Sequence, residues 1–369
     1  MASHSREPLR RLPLLGFIFA AGVACNTSTR AAPPTDRATV DSIPVLEEAW
    51  HTERDTLDNI DSPAVWHGPN GEHWVLATAK YTDVLVVYDA NTGATIRRVG
   101  GTGTGPGQME RPNGVAVIDD LAIVVERDNH RVQVFRMPAF TPLGSFGDTL
   151  LTLPYGVAVV PAGAGEYTLY VTDNYELGED MIPPDSLLGR RVQQFRMRVT
   201  DDGVTAEHVR AFGATSGPGV LKVVESIAAD EAHDRLLVAE ELEVASHLKV
   251  YDLEGEFTGT ILGEGMFPHQ AEGIILYECG ENEGYWVATD QDRAVNTFHV
   301  FDRATLAHVG SFRGELTRNT DGIALSQQGF GDFPTGILVA VHDDGSVAAF
   351  EWGDVATALG LRTCPAGSR

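Results

Sequence analysis

Lysine is nearly missing from this chain: among 369 residues there are three, Lys80, Lys222 and Lys249. Basic residues number 27 against 52 acidic ones, a formal charge of −25. A field of that sign repels nucleic acid and anionic lipid surfaces, so neither is expected as a partner. A polyanionic ligand would need metal ions or a local basic patch to be held. Cysteine is also scarce, with Cys25, Cys279 and Cys364. The one strongly apolar run near the start, residues 12–24, is too short to cross a bilayer comfortably. There is no Gly-x-Ser-x-Gly and no Cys-His pairing, so nucleophilic acyl chemistry finds no support. The glycine-rich stretch at 100–107 is followed by neither a helix nor a Lys-Ser/Thr, which excludes a phosphate loop and leaves a flexible connection.

Arg6, Arg10 and Arg11 precede the apolar run, which ends in Gly22-Val-Ala-Cys25. This resembles a bacterial lipoprotein processing site, with Cys25 as the lipidated residue. The alternative is an ordinary secretory signal with an incidental cysteine. Residues 1–25 are thus a signal segment and 26–42, rich in Thr, Ala and Pro, a flexible tether. The expected location is periplasmic or at the cell surface, with the membrane touched only through a lipid anchor. In an exported chain Cys279 and Cys364 either pair or stand as separate thiols.

What the sequence has in quantity is a repeat. From Arg111 to Phe135 it reads as three strands: residues 114–118, a turn at Asp119-Asp120, residues 121–125, and residues 131–135. Five further segments share that grammar, opening at Asp61, Pro154, Glu225, Ala271 and Asn319, with third strands ending at Tyr88, Phe195, Tyr251, Phe301 and Phe350. A period of roughly 40–50 residues with four strands per unit predicts an all-β fold, a six-bladed β-propeller of four-stranded antiparallel blades. The sixth repeat shows no fourth strand after Phe350, and an unclosed ring would expose sheet edges. Part of residues 43–54 is therefore expected to pair into the last blade. The propeller spans 43–355, a C-terminal tail 356–369, and the chain is expected to be a monomer. The insertion at 175–190, between the second and third strands of blade three, reads as an exposed loop.

In a propeller the residue before the first strand and the residue after the second emerge on the same face. Before first strands stand Asp61, Asn113, Tyr155, Glu225, Glu272 and Asp321. After second strands stand Lys80, Glu126-Arg127, Asp173, Glu240-Glu241, Asp290 and His342-Asp343. Glutamate is a poor turn residue, so Glu225, Glu240 and Glu272 are the informative members. Carboxylates crowded at one opening repel unless protons or cations intervene, and Ca²⁺ is the natural partner for a flexible set of oxygens. The bland alternative is a set of solvated loop acids. Lys80, Arg127 and Tyr155 on the same face suit an oxyanion such as phosphate; the alternative for Lys80 is a plain ion pair with Asp61 or Asp83. Arg131, on a third strand, reads as structural.

Asp61-Ser-Pro-Ala-Val-Trp66, Glu225-Ser-Ile-Ala-Ala-Asp230 with Leu237-Val-Ala-Glu-Glu241, Ala271-Glu-Gly-Ile-Ile-Leu-Tyr277 and Thr320-Asp-Gly-Ile323 resemble the β-propeller (alkaline) phytases, calcium-dependent phosphomonoesterases of inositol phosphates. The resemblance implies Asp61, Glu225, Glu240, Glu272 and Asp321 as calcium ligands, with Glu225, Glu272 and Asp321 at the catalytic centre. It implies Lys80, Arg127 and Tyr155 as phosphate contacts, and water activated by metal as nucleophile. Three features depart from the family: Ser62 replaces a second aspartate, Asp173-Asn174 stands where a lysine is usual, and an acidic residue expected a few positions before Thr320-Asp321 is missing. Asn129-His-Arg-Val-Gln-Val-Phe135 is similar to NHL-repeat propellers, and the Pro-x-Gly-Val-Ala-Val openings to gluconolactonase-type ones. Two other functions therefore stand beside the first: a non-catalytic propeller binding a protein or glycan, and a calcium-dependent lactone or sugar-acid hydrolase.

Overall fold

The computed structural model describes residues 43–364, apart from residues 179, 243 and 245. The signal and tether expected over 1–42 lie outside the described residues. The described part opens with two short strands, β1 (Val45–Leu46) and β2 (Trp50–His51). Blade one follows as β3 (Ile60–His67), β4 (His73–Ala79), β5 (Val84–Asp89) and β6 (Thr95–Gly100), and blade two as β7 (Pro112–Ile118), β8 (Leu121–Glu126), β9 (Arg131–Arg136) and β10 (Thr141–Phe146). Blade three is β11 (Pro154–Gly163), β12 (Glu166–Asp173), β13 (Val192–Thr200) and β14 (Gly203–Phe212). Blade four is β15 (Ile227–Asp230), β16 (Arg235–Glu240), β17 (His247–Tyr251) and β18 (Phe257–Leu262). Blade five is β19 (Gln270–Cys279), β20 (Glu283–Gln291), β21 (Thr297–Asp302) and β22 (His308–Gly314). Blade six holds β23 (Ile323–Ser326), β24 (Ile337–His342) and β25 (Ser346–Glu351), before a single helix α1 (Trp352–Leu359).

Each blade is antiparallel in sequence order, and the first strands touch in turn around a closed ring, β23 returning to β3. The expected closure is present. Trp50 and His51 of β2 pair with Ala349 and Ala348 of β25, so the N-terminal segment supplies blade six with its fourth strand. A second contact was not foreseen: β1 runs parallel to β22 and adds a fifth strand to blade five. The buried Glu48 carboxylate between them accepts from the Thr317 amide at 2.8 Å and its hydroxyl at 2.6 Å, fixing this segment to the last two blades.

The core lies between blades, where outward-facing Val, Leu, Phe and Tyr of one sheet meet the next. One cluster joins Ile60, Val75 and Val86 of blade one to Val339, Val341 and Val347 of blade six. Where the sequence shows no fourth strand after Phe350, α1 buries Trp352 and Val355 against blades five and six. Its Glu351 side chain caps the helix by accepting from the Asp354 amide, and Gly360 ends it in the left-handed region. Beyond it Cys364 is joined to Cys279 at the end of β19, closing a loop of 85 residues. The glycine-rich connection at 100–107 is held in place: Arg131 donates to the carbonyls of Thr104 at 2.7 Å and Gln108 at 2.9 Å while pairing with Glu126. Arg131 is structural, as its strand position indicates.

Candidate metal and phosphate site

Strong crowding at one mouth of the ring follows from how the first strands pack. At Gly156 and Gly322 an added Cβ would lie 2.1 Å from the Glu225 carbonyl oxygen and 2.6 Å from that of Asp61. Only glycine lets neighbouring strands approach so closely, and the glycine directly follows a site residue in both places. Buried threonines on second strands tie the same backbone together. Thr78 Oγ donates to the Asn113 carbonyl at 2.6 Å, and Thr172 Oγ to that of Glu225 at 2.8 Å. The chain therefore brings the side chains of successive blades to one small area without any covalent link.

Glu225, Glu241 and Glu272 each present a carboxylate oxygen within 4.8 Å of the other two. Glu241 and Glu272 are buried, while Glu225 keeps part of its surface open to the cavity. Desolvation, then the charge of Asp61, raises the Glu225 carboxyl from its ordinary 4.5 to about 7, against the lowering effects of Lys80 and Tyr155. Burial and mutual repulsion push Glu241 and Glu272 well above the usual carboxylate range. Asp321 is raised as well, by burial and despite Lys80. Glu241 Oε1 and Asp321 Oδ2 are buried with no protein partner. Buried oxygens of this kind ordinarily have partners, so the group fits a hard cation.

Lys80 and Tyr155 stand beside the acids. Lys80 Nζ is 2.7 Å from Asp61 Oδ1 and donates to the Tyr155 hydroxyl at 3.3 Å; that hydroxyl donates to Asp61 Oδ1 at 2.8 Å. Burial would lower the Lys80 pKa, but Asp61, Asp321 and Glu225 outweigh it and hold the ammonium charged. Both readings of Lys80 thus meet at one place: it pairs with Asp61 and still lines the cavity. Arg127, Lys80, Tyr155, Glu225, Glu272 and Asp321 line a cavity of about 460 Å³. A second of about 610 Å³ adjoins it, with Lys80 and Asp321 on both.

Glu240 is not part of this group. Its buried carboxylate accepts from the amides of Lys222 at 2.8 Å and Val223 at 3.0 Å and pairs with Lys249 at 2.9 Å. The carboxylate at the cavity is that of Glu241, one residue on, because successive residues of extended chain face opposite ways. The same division recurs. Asp173 ends β12 and accepts from the amides of Thr152 at 3.1 Å and Leu153 at 2.8 Å; its successor Asn174 lines the cavity. Asp290 accepts from the His269 amide at 3.1 Å, and its successor Gln291 donates to Asp321 Oδ1 at 2.8 Å. Glu126 accepts from the Glu110 amide at 3.3 Å, and its successor is Arg127.

One further residue escaped the sequence reading. Arg111 lines both cavities, with a backbone φ of 48° and a buried Nε that has no partner. Its amide donates to Asp83 Oδ1 at 2.8 Å, which fixes the unusual backbone. Asn113, on β7, is fully buried with neither amide atom partnered. The 175–190 insertion is not merely an exposed loop: Tyr175 and Leu188 are buried, and Glu176, Asp180 and Ile182 line the smaller cavity. Ser62 donates to Asp61 Oδ2 at 3.0 Å in place of adding a carboxylate.

Comparison with known proteins agrees with the family signature in the sequence. Residues 187–352 match the phytase family model and residues 109–135 the NHL repeat model. The chain is thus a six-bladed propeller whose stretch from the third strand of blade three through blade six matches the phytase model, with an NHL repeat in blade two. No curated protein matches it. Similar solved structures include Kuenenia stuttgartiensis hydrazine synthase, 11% identical, with a TM-score of 0.47 over 84% of this chain and 82% of that one. A nidogen/laminin complex chain is 12% identical, with a TM-score of 0.45 over 74% of this chain and 88% of that one.

Proposed function

We propose that this phytase-type propeller is a calcium-dependent phosphomonoester hydrolase acting on inositol phosphates. The observation that carries the proposal is the three-glutamate group, with oxygens within 4.8 Å of one another, beside a lysine, an arginine and a phenol on one cavity. Glu225, Glu241 and Glu272 would hold calcium, with Asp61 and Asp321 at the margin of the group. Bound calcium supplies charge neutralisation and a water of lowered pKa.

The chain's own residues orient the ester. Lys80 and Arg127 bring positive charge to phosphate oxygens, Arg127 through a planar fork suited to two oxygens at once. The Tyr155 hydroxyl, raised in pKa by burial and by Asp61, stays protonated and donates to Asp61 Oδ1, which steadies Lys80 beside it. The Glu225 carboxylate, partly open to the cavity, is placed to accept a hydrogen bond from water at an Oε atom. Phosphate release from inositol hexakisphosphate, measured with calcium and with chelator, tests the reading; turnover that ignores calcium rejects it.

One observation favours a second reading, a propeller that binds a partner without hydrolysis. Neutral Asn174 lines the cavity where a cation would serve phosphate, and Asp173 before it is engaged by two backbone amides. On that reading Glu225→Gln and Glu272→Gln change thermal stability and leave no hydrolysis to lose. Export and lipid anchoring through Cys25 are also proposed; radiolabelled palmitate incorporation lost in Cys25→Ser would support them.

A further inference from the structure

We propose that Arg111 is a further phosphate-binding residue of the site, supplied by the connection that enters blade two. This rests on the phosphate-ester reading above and adds a residue to its binding set. Four cations line the smaller cavity: Lys80, Arg111, Arg127 and Arg191. Three of them already have partners within the chain. Lys80 pairs with Asp61 at 2.7 Å, and Arg127 Nε lies 3.9 Å from Asp128 Oδ1. Arg191 is buried; its guanidinium donates to the carbonyls of Asp173 at 3.1 Å, Tyr175 at 2.8 Å and Leu221 at 3.4 Å, and to that of Lys222. Among the described residues the Arg111 guanidinium has neither an ion pair nor a hydrogen bond, and its Nε is buried without a partner. A buried N–H with nothing to accept from it costs the fold unless a ligand supplies the acceptor.

The backbone holds this arginine where it stands. Its φ of 48° lies in the left-handed region, which is costly for any residue with a Cβ. The Arg111 amide donates to Asp83 Oδ1 at 2.8 Å, and the other oxygen of Asp83 accepts from the Thr102 hydroxyl. The Arg111 carbonyl accepts from the Arg127 amide at 3.0 Å, so two arginines of the cavity are fixed to one piece of backbone. A glycine would adopt this conformation at lower cost, and the arginine recovers no polar contact from the protein. Phosphate oxygens supply what is missing, since the planar guanidinium fork matches two of them at once. Of the four cations, only Lys80 and Arg111 line both the smaller and the larger cavity. Arg111 thus brings an unengaged fork to the place where Lys80 brings a charge already shared with Asp61.

Two substitutions test this: Arg111→Gly, which suits the left-handed backbone, and Arg111→Lys, which keeps the charge and loses the fork. Binding of inositol hexasulfate, a polyanion that is not a phosphate ester, to the calcium-loaded protein is measured by calorimetry. Melting temperature, and kcat and KM for inositol hexakisphosphate, are measured alongside. Arg111→Gly should weaken hexasulfate binding and raise KM by about tenfold, with kcat changed less than about twofold. Its melting temperature should hold or rise. Arg111→Lys should recover part of the lost affinity. Hexasulfate binding that is absent in the wild type, unmoved by Arg111→Gly or not recovered at all by Arg111→Lys overturns the inference. A fall in the melting temperature of Arg111→Gly marks the residue as structural and overturns it too. Calcium-dependent turnover whose KM ignores Arg111→Gly also overturns it, and leaves the hydrolase reading standing. If no turnover occurs while hexasulfate binding responds as expected, the hydrolase reading falls and the role of Arg111 in binding the anion stands.

Discussion

The acids that end second strands and the acids that face the cavity have opposite surroundings, most sharply at Glu240 and Glu241, which are neighbours along the chain. Asp173, Glu240 and Asp290 are buried and point away from the mouth, where backbone amides of the preceding loop donate to them. Glu225, Glu241, Glu272 and Asp321 look at one another across a cavity, and two of their oxygens are buried without a partner. Desolvated carboxylates of the first kind are satisfied by the fold; those of the second kind await something the chain does not contain. The first set stabilises the propeller, and the second weakens it in return for a site.

The sharpest way to break that contrast is at Glu240. Glu240→Ala leaves Lys249 buried without its partner at 2.9 Å, and urea unfolding should show a loss of about 3–5 kcal/mol. Calcium affinity of the remaining folded protein should hardly change. At Glu225 the order reverses. Glu225→Gln should cut calcium-dependent phosphate release about a hundredfold or more, while the metal-free melting temperature holds or rises because a repulsive charge is gone.

A third test uses pH. The folded Glu225 carboxyl titrates at about 7 against an ordinary 4.5, so the folded state binds more protons than the unfolded chain between those values. Its contribution to stability is present in full below pH 4.5 and is lost as pH rises through 7. The metal-free protein should therefore melt at progressively lower temperature across that window in differential scanning calorimetry, and calcium should flatten the decline. The smallest effect is expected at Asp173→Asn, which keeps one acceptor for the Thr152 and Leu153 amides. A loss of about 1 kcal/mol with unchanged calcium binding would place Asp173 with the stabilising set.

Much of this was legible in the sequence, because it is written in repetition. Six blades, a chain end that completes the last of them, and a face crowded with acids all follow from strand grammar alone. What does not follow is parity. At Glu126-Arg127 the two residues differ in charge and the second is recognisable as the one facing a ligand. At Glu240-Glu241 they are identical, and which of them turns inward is set by the pairing of β16 with its neighbours. Arg111 carries no sequence signal either, since its place at the cavity depends on a left-handed backbone fixed by Asp83. The insertion's composition marks it as polar loop, but its position against the mouth is a matter of tertiary packing. The strand repeats do not decide the pairing of the two cysteines for the same reason: Cys364 lies past a helix that has no counterpart in the repeats.

The bond between Cys279 and Cys364 joins residues 85 positions apart, and the chain between them includes β20 to β22 of blade five and β23 to β25 of blade six. A protease that nicks any loop inside that stretch creates two polypeptides that cannot part. The damaged molecule keeps its mass on a non-reducing gel and comes apart only when thiol is added.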